Sequence, residues 1–472
     1  MSTSYFDKDD LISLKRLCKH CVDACIRGCK EIRTVAKRNR MNENTNEKIE
    51  HTFKDENDAR SALTEADVNA QSVIIGALTN SYGSHLNIVG EEDGDANARP
   101  KKDEQKLKEC CFEFKKMDEV EDVEVRVGDL VVFVDPVDGT REFIEERYHN
   151  CQCLIGVAHK GKAVVGVVGI PFPKGKITKE SDVEACAVVY GIFYENEDGK
   201  NVMKVLETCN EELLGRATTA TTEQQHQDQR QQKKQRVSSE TTTSTSSYIL
   251  ATGDSKSKAL RTAVEKITEC INEDDAFPNA LEHIITGGAG NKILRVSTGI
   301  SPSPSSSKTT NPPDVALMHM GTCAWDTAAP EAVLLASGGK ITDLFGDRLI
   351  YDASNKSEGY INKRGVLASN KATVESGLHS KFVQRMKKSQ TLLTLFGVAA
   401  SERNDDEEEN KDHLREKKND RFQQKTPFRE QPSCILYVLL LLLLLLRTKA
   451  PRKRKRNGDI IIAFLFSLIM RP

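Results

Sequence analysis

Apolar and polar positions follow two different periods along this chain, and the changes of period mark its elements. Leu11–Arg38 carries Leu, Cys, Val, Ala and Ile at helical spacing, which predicts an amphipathic helix. Met41–Asn57 is polar and predicts a loop, and residues 59–79 predict a second helix. Residues 86–90 predict a strand, and charge-rich Ala96–Glu121 a loop and surface helix. Between 123 and 172 the period shortens to that of sheet, and Leu154–Ile170 alternates around a His159-Lys160-Gly161-Lys162 turn, predicting a hairpin. A second hairpin pairs Ala187–Glu195 with Asn201–Leu206 across Glu197-Asp198-Gly199. Further on, Tyr248–Ala251, His283–Thr286 and Val315–Met320 predict strands. Lys258–Cys270 and Glu331–Ser337 predict helices, the latter stopped by Gly338-Gly339, and Lys340–Asp352 a last hairpin around Gly346-Asp347. Strands mixed with helices in both halves predict layered α/β structure in two lobes, 1–210 and 248–392.

Three stretches break the pattern. Ala217–Ser247, rich in Gln, Thr and Ser, has almost no apolar residues and is expected to be disordered. Ser301–Pro313 is a Ser-Pro-rich surface loop, and the fold tolerates both inserts because closure entropy grows slowly with loop length. Residues 398–472 are charged first, then apolar over Ile435–Leu446, basic over Arg452–Arg456 and apolar again over Ile460–Met470. Neither apolar run reaches the roughly 20 residues that span a bilayer. A hydrophobic anchor, a basic nuclear-type signal and a tail from a faulty gene model all fit, and the abrupt change of composition favours the last.

A length of 472 residues accommodates two cores, and a net charge of −2 gives no reason to expect a nucleic-acid groove. Met1–Asp10 is polar and partly acidic, unlike a secretory or transit leader. The odd total of 13 cysteines, without such a leader, predicts a reducing, cytoplasmic setting. Cys18, Cys21, Cys25 and Cys29 share one helix face; four ligands along one rigid helix cannot surround an ion, so they are expected to be buried as small side chains.

Candidate chemistry centres on Val134-Asp135-Pro136-Val137-Asp138-Gly139-Thr140. A buried strand, Leu130–Val134, delivers two carboxylates into a turn, and Thr140 opens a helix whose amides suit a phosphate. Asp-Pro and Asp-Gly are also ordinary turn signals. Three other stretches supply company: Glu91-Glu92-Asp93 after the 86–90 strand, Trp325-Asp326 before Glu331–Ser337, and Asp67 in the second helix. Each has a plain alternative: a solvated loop, a helix cap, a surface residue. Together they suggest oxygen ligands for hard cations beside an anion site.

These motifs, Gly90-Glu91-Glu92, Asp135–Thr140 and Trp325–Ala328, resemble those of the lithium-sensitive, Mg²⁺-dependent phosphatase superfamily that includes inositol monophosphatase. Cys151–Pro171, Gly287–Lys292 and Ala324–Asp343 extend the likeness to the 3′(2′),5′-bisphosphate nucleotidase branch. The resemblance implies an α-β-α-β-α layered fold and two or three Mg²⁺ ions. It implies Glu91, Asp135 and the Val137 carbonyl as ligands of one ion, and Asp135, Asp138 and Asp326 of another. Asp67 and Thr140 would activate water, Gly139 and Thr140 amides would take phosphate oxygens, and Glu92 would steady a ligand or water. Gly288 and Lys292 match the substrate loop, and Asp326 also faces substrate. Ser255-Lys256-Ser257 stands where the family carries Ser-His-Ser, and Gly253-Asp254 where it carries Thr-Arg, which weakens the inference about substrate. The implied substrate is a small phosphate ester, adenosine 3′,5′-bisphosphate or alternatively an inositol phosphate, with no nucleic-acid partner and membrane contact only through the tail.

Overall fold

In a computed structural model of the chain, the described residues are 6–41, 51–53, 62–92, 107, 113–177, 186–214, 248–273, 281–300, 312–318, 321–354 and 360–398. The 217–247 insert, positions 301–311 of the second insert, most of the 41–57 loop, Asp93 and the tail from 399 lie outside them. The helices in chain order are α1 (Leu14–Met41), α2 (Glu65–Tyr82), α3 (Lys115–Asp118), α4 (Thr140–Ile144) and α5 (Lys258–Asn272). They continue with α6 (Ala289–Thr298), α7 (Ala324–Ser337), α8 (Lys371–Glu375), α9 (Leu378–Lys387) and α10 (Gln390–Leu395).

A six-stranded sheet runs in the order Asn201–Cys209, Ala187–Glu195, Lys162–Ile170, Gln152–His159, Leu130–Asp138, Asn87–Gly90. It is antiparallel except for the last pair. A five-stranded sheet orders Leu281–Ile285, Tyr248–Thr252, Val315–Met318, Val366–Ser369, Lys340–Thr342, with the first three parallel. Helices α1 and α2 cover one face of the first sheet; α6 and α7 fill the space between the sheets; α5, α9 and α10 cover the outer face of the second. The layers therefore alternate α-β-α-β-α, as expected.

Helix α1 buries Leu17, Cys18, Cys21, Val22, Cys25, Cys29 and Ile32 against the first sheet, so its cysteines act as small packing residues. Cys25 and Cys29 meet Cys153 from the sheet, with the three sulfurs within 4.8 Å of one another. Burial pushes the Cys21 thiol up to about 12, which leaves it neutral and unreactive.

The middle layer depends on three glycines. Gly156, Gly166 and Gly191 lie in register across three adjacent strands. A Cβ on Gly166 would stand 1.9 Å from the Ala329 carbonyl oxygen, one on Gly156 2.5 Å from the Ala329 nitrogen, and one on Gly191 2.8 Å from the Val333 Cα. Helix α7 thus rests its backbone directly on the sheet, a close approach that side chains at these positions would prevent.

Four elements differ from expectation. The first helix starts at Leu14, because Leu11–Ser13 pairs with Glu124–Arg126 as a strand. The second helix starts at Glu65, because Ala62–Thr64 pairs with His51–Phe53 and Thr64 caps the helix. The helix expected from Glu331 begins at Ala324 and carries Pro330 inside it. Lys340–Asp352 is not a hairpin. Asp343 accepts the Phe345 and Asp347 amides, both at 2.8 Å, and closes a local turn, so Lys340–Thr342 pairs with the later strand Val366–Ser369. Helices α6 and α8–α10 had no counterpart in the pattern reading. No helix among the described residues is long and apolar enough to cross a membrane.

The glycine row makes a direct prediction. Gly166→Ala should cost about 2–4 kcal/mol in urea unfolding. Gly253→Ala, where an added Cβ meets nothing within 4 Å, should stay within about 0.5 kcal/mol. Equal effects of the two would show that the close approach is not limiting.

Candidate active site

The Leu130–Asp138 strand is buried at every position. Parallel pairing of Gly90 with Val134 sets Glu91 beside Asp135, and the Glu91 amide donates to the Val134 carbonyl at 3.0 Å. Residues three apart on a regular strand face opposite ways. Here the register slips between Asp135 and Asp138, across Pro136, which has no N–H to give the ladder. That slip lets both carboxylates meet on one side. Gly139 follows at φ 90°, a left-handed conformation that turns the chain into α4.

Asp326 arrives from the other half of the chain. It sits in the first turn of α7 and accepts the Cys323 amide, so it caps the helix as well as joining the cluster. One carboxylate oxygen each from Asp135, Asp138 and Asp326 lie within 4.8 Å of one another. Burial first, then the charges of Glu91, Asp138 and Asp326, push Asp135 well above the usual carboxylate range. Burial, followed by Glu91 and Asp138, does the same to Asp326. Asp135 Oδ1 is buried with no hydrogen-bond partner. Carboxylates forced together, with an oxygen left unsatisfied, fit a hard divalent cation such as Mg²⁺, and the all-oxygen donor set disfavours zinc.

Asp67 lies beside this cluster. Thr64 donates to its Oδ2 from both backbone N (2.8 Å) and Oγ1 (2.6 Å), completing a capping box at the start of α2. The other oxygen, Oδ1, accepts the Thr140 hydroxyl at 2.9 Å. Thr140 Oγ1 also lies 3.1 Å from the Val137 carbonyl. Burial, only partly offset by the Thr64 bonds, brings Asp67 up to about 6. Glu92 is buried next to the site, its amide donating to Gln71 at 2.9 Å.

The three parallel strands of the second sheet all end at this place, as ligand loops do in α/β sheets. After Val315–Met318 comes Asp326. After Leu281–Ile285 comes Gly288, whose φ of 71° and close approach to Asp138 and the Asn150 carbonyl leave no room for a Cβ. This lets the Ala289 and Asn291 amides, at the start of α6, donate to Asp138 at 2.8 and 3.2 Å. Lys292 is buried, donates to the Thr286 and Gly288 carbonyls at 3.2 and 2.7 Å, and its charge favours ionised Asp138 and Asp326. Burial raises Asp138 to about 6 despite Lys292 and the two amides. Gly288 and Lys292 therefore buttress Asp138, a role that sequence reasoning missed; only tertiary contact reveals it.

After Tyr248–Thr252 comes the Gly253–Ser257 loop. Ser255 Oγ accepts the Ser257 amide at 3.3 Å, and the Lys256 side chain is exposed. Asp254 forms an ion pair with Arg141 at 2.7 Å. Around it, Arg141 bonds Glu145 at 2.9 Å and Arg147 grips Glu142 at 2.6 and 2.7 Å, with Asn150 on the same Glu142 oxygen at 2.8 Å. This charged rim was not anticipated, although alternating charge over Arg141–Arg147 was its visible trace.

Known proteins resemble this chain in sequence. The model of the inositol monophosphatase family matches residues 13–295 and 313–390. The chain belongs to the inositol monophosphatase family. Among its relatives, 3′(2′),5′-bisphosphate nucleotidase 1 of Rattus norvegicus is 29% identical over 312 residues, covering 65% of this chain and 78% of that protein. The Homo sapiens protein of the same name is 29% identical over 308 residues with the same coverage. The Golgi-resident adenosine 3′,5′-bisphosphate 3′-phosphatase of Bos taurus is 26% identical over 364 residues, covering 76% and 77%. Among solved structures, CysQ from Bacteroides thetaiotaomicron is 18% identical at a TM-score of 0.43, covering 76% of this chain and 98% of that one.

The buried carboxylates imply a pH signature. Asp67 and Asp138, raised to about 6, contribute stability that is complete below the unfolded value of about 4 and lost as pH rises through 6. In metal-free protein, Asp135→Asn, which sacrifices no hydrogen bond at Oδ1, should raise Tm by about 2–5 °C at pH 8 and less at pH 5. The same variant should lose most of the stabilisation that Mg²⁺ gives wild type. A calorimetric Tm unchanged across pH by this substitution would contradict the repulsion argument.

Proposed function

We propose that the protein is a Mg²⁺-dependent phosphomonoester hydrolase acting on 3′(2′),5′-bisphosphate nucleotides, with adenosine 3′,5′-bisphosphate converted to AMP and phosphate. The observation that carries this reading is the meeting of Asp135, Asp138 and Asp326 beside a hydrogen-bonded Asp67–Thr140 pair. Family membership supports the reaction class, and the animal nucleotidases among the relatives support the nucleotide.

Glu91, Asp135, Asp138, Asp326 and the Val137 carbonyl would hold two or three Mg²⁺ ions. Bound there, the ions supply charge neutralisation for the phosphate and a water acidic enough to attack it. Thr140 carries one hydroxyl proton and faces two acceptors, Asp67 Oδ1 and the Val137 carbonyl. Passing that proton to Asp67 Oδ1 lets Thr140 Oγ1 accept one from the attacking water. An Asp67 value raised to about 6 suits a base that must take the proton and release it near neutrality. Thr64 fixes Asp67 through Oδ2, which leaves Oδ1 for this task. Gly139 and Thr140 amides are proposed to receive phosphate oxygens, with Glu92 holding a ligand or water in place. Ser255, Lys256 and Gly288 are proposed to line the substrate side, with Asp326 between metal and substrate. The lobes are proposed to be 1–210 and 248–392, with the substrate taken up where the strands of the two sheets end.

A second reading, hydrolysis of inositol phosphates, is favoured by the altered Gly253–Ser257 loop and by the family to which the chain belongs. The compartment is proposed to be reducing and cytoplasmic, on the strength of ten free thiols among the described residues. The bovine relative's Golgi residence shows that location varies among related proteins.

Phosphate release from adenosine 3′,5′-bisphosphate, inositol 1,4-bisphosphate and inositol monophosphate, measured with and without Li⁺, tests the reading. Faster release from the nucleotide, suppressed by Li⁺, is expected; inositol phosphates turning over much faster would sink the nucleotide assignment. Asp138→Asn and Asp326→Asn should each lower kcat at least about 100-fold at saturating Mg²⁺. Asp67→Asn should lower kcat by about 100-fold or more with Mg²⁺ affinity little changed. Near-normal rates in the first two variants would overturn the metal assignment.

A further inference from the structure

The rim of the site holds a second set of charged contacts, outside the carboxylate cluster. Arg141 immediately follows Thr140, and its guanidinium is taken by Asp254 at 2.7 Å and by Glu145 at 2.9 Å. Asp254 stands on the loop after the Tyr248–Thr252 strand, at the same sheet edge that delivers Asp326 and the amides holding Asp138. Its carboxyl lies below the usual range, chiefly through its bond to Arg141, and the positive charge of Lys292 also reaches it. Lys292 in turn feels Asp138 and Asp326. Arg141 adjoins Thr140 of the site and Asp254 lies on a loop at the sheet edge that carries it, so their pair borders the site.

Arg147 is neutralised likewise by Glu142 and Glu145. These two guanidiniums are thus matched by three carboxylates of the protein itself, Asp254, Glu145 and Glu142. A guanidinium fork fits carboxylate and phosphate alike. A substrate bearing a second phosphate meets an arginine whose matching partner is already in place.

We propose that the Arg141–Asp254 ion pair sets the preference between mono- and bisphosphorylated substrates, because a second phosphate must displace Asp254 to reach Arg141. This rests on the phosphatase reading of the site. Asp254 acts through Arg141, so it is a positioning residue with no part in the chemical step. The pair is partly exposed, with side chains 41% and 61% accessible, so the expected effect is modest and salt-sensitive.

The test compares adenosine 3′,5′-bisphosphate with adenosine 3′-monophosphate, using full-length wild type, Asp254→Asn, Arg141→Gln and the double variant. Asp254→Asn should lower KM for the bisphosphate about two- to fivefold relative to the monophosphate. It should leave kcat unchanged and lose the gain as salt is raised. The relative gain should vanish in the Arg141→Gln background. Equal KM changes for both substrates, or a gain that survives Arg141→Gln, would overturn the proposal. If neither nucleotide is hydrolysed, the phosphatase reading on nucleotides fails separately, and calorimetric Kd values for the same pair of ligands decide the same ratio. Binding of neither ligand would overturn the specificity proposal too.

Discussion

The organising constraint in this protein is the repulsion between carboxylates held together away from water. Burial and the charge of Glu91 raise Asp135, Asp138 and Asp326 alike, and Asp138 adds to the strain on the other two. No metal-free fold gains from such an arrangement, so the surrounding structure exists to enforce it. Relief comes from below and behind: two α6 amides and the Lys292 ammonium face Asp138, the Cys323 amide faces Asp326, and Thr64 holds Asp67. Asp135 receives less of this relief and keeps one oxygen without a partner. An unpartnered buried carboxylate oxygen of this kind would suit a hard cation.

Enforcement depends on layer packing. Asp326 is 188 positions or more in sequence from the Asp135–Asp138 turn, and it reaches the cluster only because α7 lies on bare backbone at Gly156, Gly166 and Gly191. Replacing van der Waals spacing through side chains with direct helix-to-sheet contact brings the α7 N-terminus to the strand end. The second sheet does the remaining work by ending three parallel strands at the same edge, so that each following loop contributes one element of the site.

The same edge also carries exposed charge. Exposed Lys256 and the ion-paired Asp254 add charge there without touching the carboxylate cluster. The buried carboxylate cluster and the exposed ion pair are thus distinct parts of the site, and exposed pairs are worth little individually.

By itself the sequence determined the alternation of strands and helices, the buried cysteine face of α1, and the acidic motifs with their family. These are local patterns: period, turn residues and short spacings survive without knowledge of the fold. The capping box of Thr64 and Asp67 was not read, because the helix was expected to run on from residue 59 and the short Ala62–Thr64 strand gave no signal of its own. What only the tertiary structure decided was every relation between distant segments. Lys292 as a buttress for Asp138, Gly288 as the space that admits the α6 amides, the glycine row beneath α7 and the Arg141–Asp254 pair all join residues with no shared local signal. The failed Lys340–Asp352 hairpin has the same origin, since two apolar runs about a Gly-Asp turn fit a hairpin. Asp343 closes its own turn instead, and the partner strand comes from residues 366–369. Local pattern specifies what an element is, while burial and backbone pairing in three dimensions specify what it meets.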